Sequence, residues 1–69
     1  MKILLLGKNG QVGWELQRAL SVLGEVVALD RRCAPTPYGV LSGDLSDLDG
    51  LRNAIRAVSP QVIVNAAAY

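Results

Sequence analysis

The chain has 69 residues, of which 51% are hydrophobic, and its formal net charge is +1. This length predicts one small domain or part of one, and the apolar content is too high for a disordered segment. Basic and acidic residues are mixed, so the sequence lacks the basic stripe typical of a nucleic-acid-binding protein. The single cysteine, Cys33, cannot form an internal disulfide, and no histidine is present to activate it.

No segment of the sequence predicts secretion or membrane insertion. The first apolar run, residues 3–6, is short, whereas a secretory segment needs about 7–15 apolar residues and a membrane span about 20. We therefore expect a cytoplasmic protein that binds neither nucleic acid nor a membrane.

The first half of the chain predicts a strand, a helix and a second strand. Residues 2–6 predict a strand, because the apolar run at residues 3–6 is continuous, which is typical of a parallel strand covered on both faces. Residues 10–23 predict a helix that ends before Gly24. Its apolar positions recur on one face: Val12, Leu16, Ala19, Leu20 and Leu23. Residues 25–30 are rich in β-formers and predict the second strand.

The second half predicts a loop, a helix and a third strand. Residues 31–43 contain prolines and glycines that favour a loop, with a short extended piece at residues 40–41. Ser46 and Asp49 resemble a capping box for a helix that Gly50 weakens and Pro60 ends. Residues 61–66 predict the third strand, followed by a turn.

The predicted order of elements is typical of an α/β protein. A β-α-β-α-β sequence indicates a parallel, Rossmann-like sheet with right-handed crossovers. If the three strands step in one direction, both helices cover the same face and leave the other face bare. Because the strands look apolar on both sides, we expect the chain to be part of a larger doubly wound domain.

Three glycines, Gly7, Gly10 and Gly13, lie between the first strand and the first helix. Glycines let a phosphate approach the backbone, and the helix N-terminus offers unpaired N–H groups and a positive dipole end. The spacing is GxxGxxG rather than GxGxxG, but the strand–turn–helix context is the one that dinucleotide binding requires. We interpret Gly7 as the tight turn, Gly13 as a packing position, and Gly10, Gln11 and Val12 as donors to a pyrophosphate. A glycine-rich turn without a ligand is the alternative.

Charged residues follow the second strand. Asp30 ends it, and a carboxylate there can accept hydrogen bonds from the ribose hydroxyls of an adenosine. The alternative is a surface acid. Arg31 and Arg32 come next, and a guanidinium at this place can pair with the 2′-phosphate of NADPH, although a solvated loop is the alternative. These residues are therefore compatible with NADH or NADPH.

Two further segments are candidates for the same edge of the sheet. The Asp44 carboxylate can accept from the exocyclic amine of adenine while Leu45 packs on the ring, although a plain loop acid is the alternative. Ala66, Ala67 and Ala68 follow the third strand and reach the carboxyl edge, where ligands of such sheets bind.

The chain resembles the dTDP-4-dehydrorhamnose reductase family of extended short-chain dehydrogenases/reductases in ILLLGKNGQVGWELQRAL, Asp30, Gly43-Asp44-Leu45 and VIVNAAAY. The resemblance implies NAD(P)H-dependent reduction of the C4 carbonyl of dTDP-4-dehydro-L-rhamnose to dTDP-L-rhamnose, a nucleotide-sugar substrate. A homodimer is one assembly that it leaves open. It also implies that the cofactor contacts are Gly10, Gln11, Val12, Asp30, Asp44, Leu45 and the turn 66–68.

The Tyr-x-x-x-Lys motif that carries catalysis in this family is absent from the 69 residues, because no lysine follows Lys8. We therefore expect residues 1–69 to be the N-terminal part of an NAD(P)-binding Rossmann domain, without the substrate domain. These residues alone should be inactive and contain no catalytic residue or metal ligand. The alternatives are a non-catalytic dinucleotide-binding regulatory module and another sugar-nucleotide epimerase or dehydratase.

Overall fold

The computed structural model of the chain describes residues 1–7 and 11–66. The elements that it assigns there, in chain order, are β1 (Lys2–Leu6), α1 (Gln11–Leu20), β2 (Glu25–Leu29), β3 (Ala34–Thr36), β4 (Gly39–Leu41), α2 (Leu48–Val58) and β5 (Val62–Asn65). The α/β class, the three long strands and the two helices of the sequence prediction are confirmed.

β1 is the central strand of a three-stranded parallel sheet with the order β2-β1-β5. Ile3 pairs with Val26 on one side and with Val62 on the other. Its neighbours Leu4 and Leu5 are both 0% exposed. Burial of consecutive residues requires cover on both faces of the strand, as the continuous apolar run predicts.

The two helices lie on opposite faces of this sheet. The chain passes from β1 to β2 on one side and then returns beyond β1 to β5 on the other. Because crossovers between parallel strands are right-handed, this reversal puts α1 and α2 on different faces. α2 covers the face in the main apolar cluster, whose buried members are Leu4, Leu6, Val27, Leu29, Leu41, Ala54 and Val58.

This topology corrects the expectation that both helices share one face and leave the other bare. That expectation assumed that the third long strand extends the sheet beyond β2. In the structure β5 pairs with β1 instead, in register from Ile3–Val62 to Leu6–Asn65. The apolar residues on both sides of β1 are thereby covered.

α1 is shorter than predicted. It ends at Leu20, and a turn follows in which the Leu23 N–H donates to the Leu20 carbonyl at 2.9 Å. Leu16 and Leu20 are half-buried, whereas Val12 and Leu23 are 48% and 57% exposed. Ala19, another member of the predicted apolar stripe, is also exposed, so only Leu16 and Leu20 of that stripe are partly covered. The predicted start of the helix at Gly10 lies outside the described residues.

The predicted loop between β2 and α2 contains a hairpin. Its second strand, β4, confirms the short extended piece predicted at residues 40–41, whereas β3 and the pairing of the two strands were not predicted. β3 and β4 pair antiparallel, with Pro35 opposite Val40 and Thr36 opposite Gly39. The Thr36 hydroxyl donates to the Gly39 carbonyl at 2.8 Å and accepts from the Tyr38 N–H at 3.0 Å. Prolines are tolerated here because a two-stranded hairpin offers edge positions that need no ladder donor.

α2 begins one residue later than the predicted capping box. Its N-cap is Asp47, whose carboxylate accepts from the Gly50 N–H at 3.1 Å, and Ser46 is not the cap. A Cβ on Gly50 would lie 2.5 Å from that carboxylate, so glycine suits the close cap. Ser59 ends the helix in the left-handed conformation with φ 49°, and its N–H donates to the Ile55 carbonyl.

β5 is an edge strand of the part of the sheet that the structure describes. Its apolar side chains Val62 and Ile63 are 39% and 47% exposed. Within residues 1–7 and 11–66, neither α1 nor α2 has the length and apolar character of a membrane-spanning helix.

Candidate cofactor site

The carboxyl ends of the three parallel strands meet at one edge of the sheet. The Gly7 N–H donates to the Leu29 carbonyl, and the Ala66 N–H donates to the Leu6 carbonyl, each at 2.9 Å. The strand order reverses between β1 and β5, and in open α/β sheets the ligand crevice lies at such a reversal. Gly7 and Ala66 stand at the two strand ends that flank it.

Gly7 turns the chain out of β1 with φ 77°, a conformation that a residue with a Cβ adopts only with strain. α1 begins four residues later, at Gln11, with Val12 exposed and Gly13 buried in its first turn. The first N–H groups of a helix have no intrahelical partner and carry the positive end of its dipole. This turn therefore offers anion-binding donors at the reversal of the strand order.

The N-termini of the two helices differ in charge. The first turn of α1 contains no acidic residue. α2 has the Asp47 carboxylate as its cap and Asp49 in its first turn. Acidic groups at a helix N-terminus neutralise its attraction for an anion. Of the two helices, α1 is therefore the one suited to a phosphate group.

Asp30 follows β2 and shapes the turn beyond it. Its Oδ1 accepts a hydrogen bond from the Arg32 N–H at 2.8 Å, and its carbonyl accepts one from the Gly43 N–H at 2.7 Å. The side chain thus holds the start of the loop that leads to β3. This local role of Asp30, which is an ordinary one for aspartate in a turn, was not predicted beside ribose recognition.

Ser42 and Gly43 connect the two ends of the hairpin at the same edge. The buried Ser42 hydroxyl donates to the Arg31 carbonyl and accepts from the Asp44 N–H, both at 3.2 Å. A Cβ on Gly43 would lie 2.8 Å from the Leu29 Cβ, so only glycine fits this approach to β2. Ser42 lies in the predicted loop 31–43, and its hydrogen bond with the Asp44 N–H forms a turn that is common for serine two residues before an N–H.

Asp44 is held in a tight turn in front of α2. Its Oδ1 accepts from the Ser46 hydroxyl at 2.6 Å and from the Ser46 N–H at 2.9 Å. The bond from the hydroxyl, then that from the N–H, lowers the pKa of Asp44 below its ordinary value, and the Arg31 guanidinium adds to the effect. Asp44 is therefore ionised at neutral pH, with its neighbour Leu45 40% exposed.

The structure brings most of the predicted cofactor-binding residues to this edge and its loops: Gly7, Gln11, Val12, Gly13, Asp30, Arg31, Asp44, Leu45 and Ala66. Gly10, Ala67 and Ala68 lie outside the described residues. Within the described part of the chain, no group of three or more His, Cys, Asp or Glu side chains converges on one point.

The whole chain, residues 1–69, matches the protein family described as the RmlD substrate binding domain. The chain belongs to this family. Similar members are named dTDP-4-dehydrorhamnose reductase. That of Escherichia coli (strain K12) is 51% identical, that of Shigella flexneri 52% and that of Burkholderia thailandensis 49%, each over 100% of this chain. The chain spans about a fifth of their length, because it covers 21%, 21% and 20% of them, respectively.

Proposed function

We propose that the chain forms the dinucleotide-binding part of an NAD(P)H-dependent reductase that converts dTDP-4-dehydro-L-rhamnose to dTDP-L-rhamnose. In this proposal, residues 1–69 are the N-terminal portion of a Rossmann domain. The substrate site and the catalytic groups belong to parts of the reductase outside these residues. The similar reductases, which are about 50% identical over the whole chain, support the proposed substrate and reaction.

The observation that carries the proposal is the acid-free N-terminus of α1 at the reversal of the strand order. The pyrophosphate of a dinucleotide carries two negative charges, and unpaired N–H groups at a helix N-terminus bind such an anion. Gly7 directs the chain from β1 towards that helix through its positive φ. The residues therefore fit the cofactor, and we assign the pyrophosphate to Gly10, Gln11 and Val12.

The loops after β2 and β4 supply the adenosine end of the site in this proposal. Asp30 and Arg31 lie beside the ribose, and Asp44 with Leu45 receives the adenine. The ionised Asp44 suits an acceptor for the exocyclic amine, because its pKa is lowered. We also assign Ala66, Ala67 and Ala68, the residues that follow β5 in the sequence, to cofactor binding. The reduced nicotinamide, when bound, supplies the hydride for the C4 carbonyl.

Both NADH and NADPH are accepted in this proposal. The Asp30 carboxylate favours the ribose hydroxyls of NADH and repels a 2′-phosphate. Arg31 and Arg32 are both exposed in the turn that Asp30 holds, and their guanidinium groups attract that phosphate. The two influences oppose each other, so neither cofactor is strongly excluded.

The test compares Asp30→Asn with Asp30→Ala in the full-length protein. Asparagine keeps an Oδ1 acceptor for the Arg32 N–H but loses the charge, whereas alanine loses both. If the Asp30 carboxylate accepts hydrogen bonds from the ribose hydroxyls, Asp30→Asn should lower the affinity for NADH about tenfold, which corresponds to about 1.4 kcal/mol. NADPH should bind that variant equally well or better.

Dissociation constants for both cofactors, measured by fluorescence titration, give the answer. Ser21→Ala serves as the control, because it removes an exposed hydrogen bond to the Arg18 carbonyl after α1. If only Asp30→Ala has an effect, and it weakens both cofactors equally, Asp30 acts through the turn. A full-length wild-type protein that binds neither cofactor would overturn the proposed function itself.

A further inference from the structure

The hairpin β3–β4 reaches from the candidate cofactor site to the opposite edge of the sheet. Its first strand follows the turn at Arg31 and Arg32, and its second strand leads to Ser42 and Asp44. Its tip contacts the amino end of the sheet, because the Tyr38 hydroxyl donates to Glu25 Oε2 at 2.7 Å. β2 separates the two edges by about 13 Å at the usual rise of about 3.3 Å per residue.

The contact at the tip joins several elements of the fold. The Lys2 ammonium lies 4.7 Å from the centre of the Tyr38 ring and donates to the Val58 carbonyl at 3.3 Å. Tyr38 is half-buried and packs against the apolar cluster under α2. The hairpin tip is therefore fixed to the start of β1, the start of β2 and the end of α2.

A two-stranded hairpin is marginally stable by itself, so its position depends on what it contacts. Val40 is 69% exposed, whereas Leu41, next to it, is buried in the cluster. The Tyr38 contacts lie at one end of the hairpin, and the Ser42 hydrogen bonds lie at the other. Movement at the tip would be transmitted along the paired strands to both loops at the cofactor edge.

We propose that Tyr38 is a positioning residue for cofactor binding, which holds the two adenosine-side loops in place by anchoring the hairpin tip to Glu25 and Lys2. This inference rests on the proposed function, because it assigns the loops after β2 and β4 to the adenosine half of the cofactor. The Glu25 carboxylate, as acceptor, also raises the pKa of Tyr38, so the hydroxyl stays protonated to a higher pH than that of an ordinary tyrosine.

Steady-state kinetics of the full-length protein test the role. Tyr38→Phe removes only the hydroxyl and should raise KM for the dinucleotide about twofold to tenfold, the factor expected for one hydrogen bond. kcat at saturating cofactor should stay unchanged, because the reacting end of the cofactor is untouched. Glu25→Gln keeps an acceptor and should retain the wild-type KM, whereas Glu25→Ala should match Tyr38→Phe. Ser21→Ala is the matched control.

A purely structural tyrosine would give a different result. Tyr38→Phe would then lower the melting temperature while KM for the dinucleotide stays at the wild-type value, and this outcome overturns the proposal. A fall in kcat at saturating cofactor as large as the rise in KM would also overturn the proposal, since the substitution would then affect the reacting end of the cofactor.

Amide hydrogen exchange gives a readout that does not depend on the cofactor. Tyr38→Phe should speed exchange of the Gly43 and Asp44 amides, and Glu25→Gln should not. If wild-type protein binds no dinucleotide, the proposed function fails, and faster exchange at these two amides still supports the anchor. Unchanged exchange at Gly43 and Asp44 would refute the anchor by itself.

Discussion

Replacing Gly43 with alanine should damage both the fold and the cofactor site. The added Cβ would lie 2.8 Å from the Leu29 Cβ and 3.1 Å from Leu6 Cδ2. Contacts become ordinary only at 3.4 Å, so the loop must withdraw from β2 by about 0.6 Å. The Leu29 Cβ is fixed to the backbone of a buried strand and cannot rotate away.

The expected cost follows from these contacts. Overpacking of a buried site costs about 1–3 kcal/mol, and the 2.7 Å hydrogen bond from the Gly43 N–H to the Asp30 carbonyl weakens as the loop moves. Alanine recovers about 0.4–1 kcal/mol by restricting the unfolded chain. We therefore expect a net loss of about 1–2 kcal/mol in the free energy of unfolding.

Urea unfolding and dinucleotide titration of the full-length protein measure the two effects. Because Asp44 follows Gly43 directly, the affinity for the dinucleotide should fall about tenfold. Gly50→Ala is the matched control, since its added Cβ meets only the rotatable Asp47 carboxylate. There the gain in helix propensity, about 1 kcal/mol, offsets the disturbed cap. Equal stability and equal affinity of the two variants would refute the reasoning.

Two further predictions concern the loop before α2 and its cap. Asp47→Ala should lower the free energy of unfolding by about 1 kcal/mol, because the Gly50 N–H loses its acceptor, whereas Asp49→Ala should cost less in the same urea titration. Ser46→Ala should raise the pKa of Asp44 towards its ordinary value, as followed by NMR of the carboxyl carbon. The lowered pKa of Asp44 stabilises the folded state at pH values above the ordinary pKa of about 3.9. This stabilisation is lost as the pH falls through the folded pKa, and the Ser46→Ala variant should lose it at a higher pH than the wild type. Identical titration curves of Asp44 in the two proteins would contradict the assigned hydrogen bonds.

Local sequence signals identified most of the regular structure. β1 is predicted residue for residue because a covered parallel strand needs an unbroken apolar run, and residues 3–6 provide one. α2 is predicted nearly as well, since Pro60 fixes its end. Its start is ambiguous because Ser46 and Asp47 are both good caps, and only the bond from the Gly50 N–H decides between them.

The hairpin and the strand order depend on contacts that single residues do not encode. Pro35 and Pro37 indicate a loop locally, yet pairing of β3 with β4 places both prolines in or beside a hairpin. The side of the sheet on which β5 lies is set by its pairing with β1, and no sequence period distinguishes the two sides. The expectation about the helix faces was wrong for this reason.

The candidate site also contains some features that the sequence predicted and others that it did not. Gly7 was predicted to form the tight turn, and its φ of 77° is the backbone conformation that such a turn needs. The hydrogen bond from the Ser42 hydroxyl to the Arg31 carbonyl was missed, because it joins residues on either side of a hairpin whose pairing the sequence did not indicate. The cofactor contacts themselves remain predictions.

The contrast between the two helix N-termini also bears on the rate at which an anionic ligand reaches the protein. Both helices start on the side of the sheet where the parallel strands end, but only α2 begins with Asp47 and Asp49. The N-terminus of α2 repels an approaching anion and that of α1 attracts it, so the electrostatic field steers the anion towards α1 before any contact forms. The association rate constant should therefore depend on ionic strength, since screening acts over about 10 Å at 0.1 M salt. The charge pattern of two short turns thus selects where encounter occurs as well as what is bound.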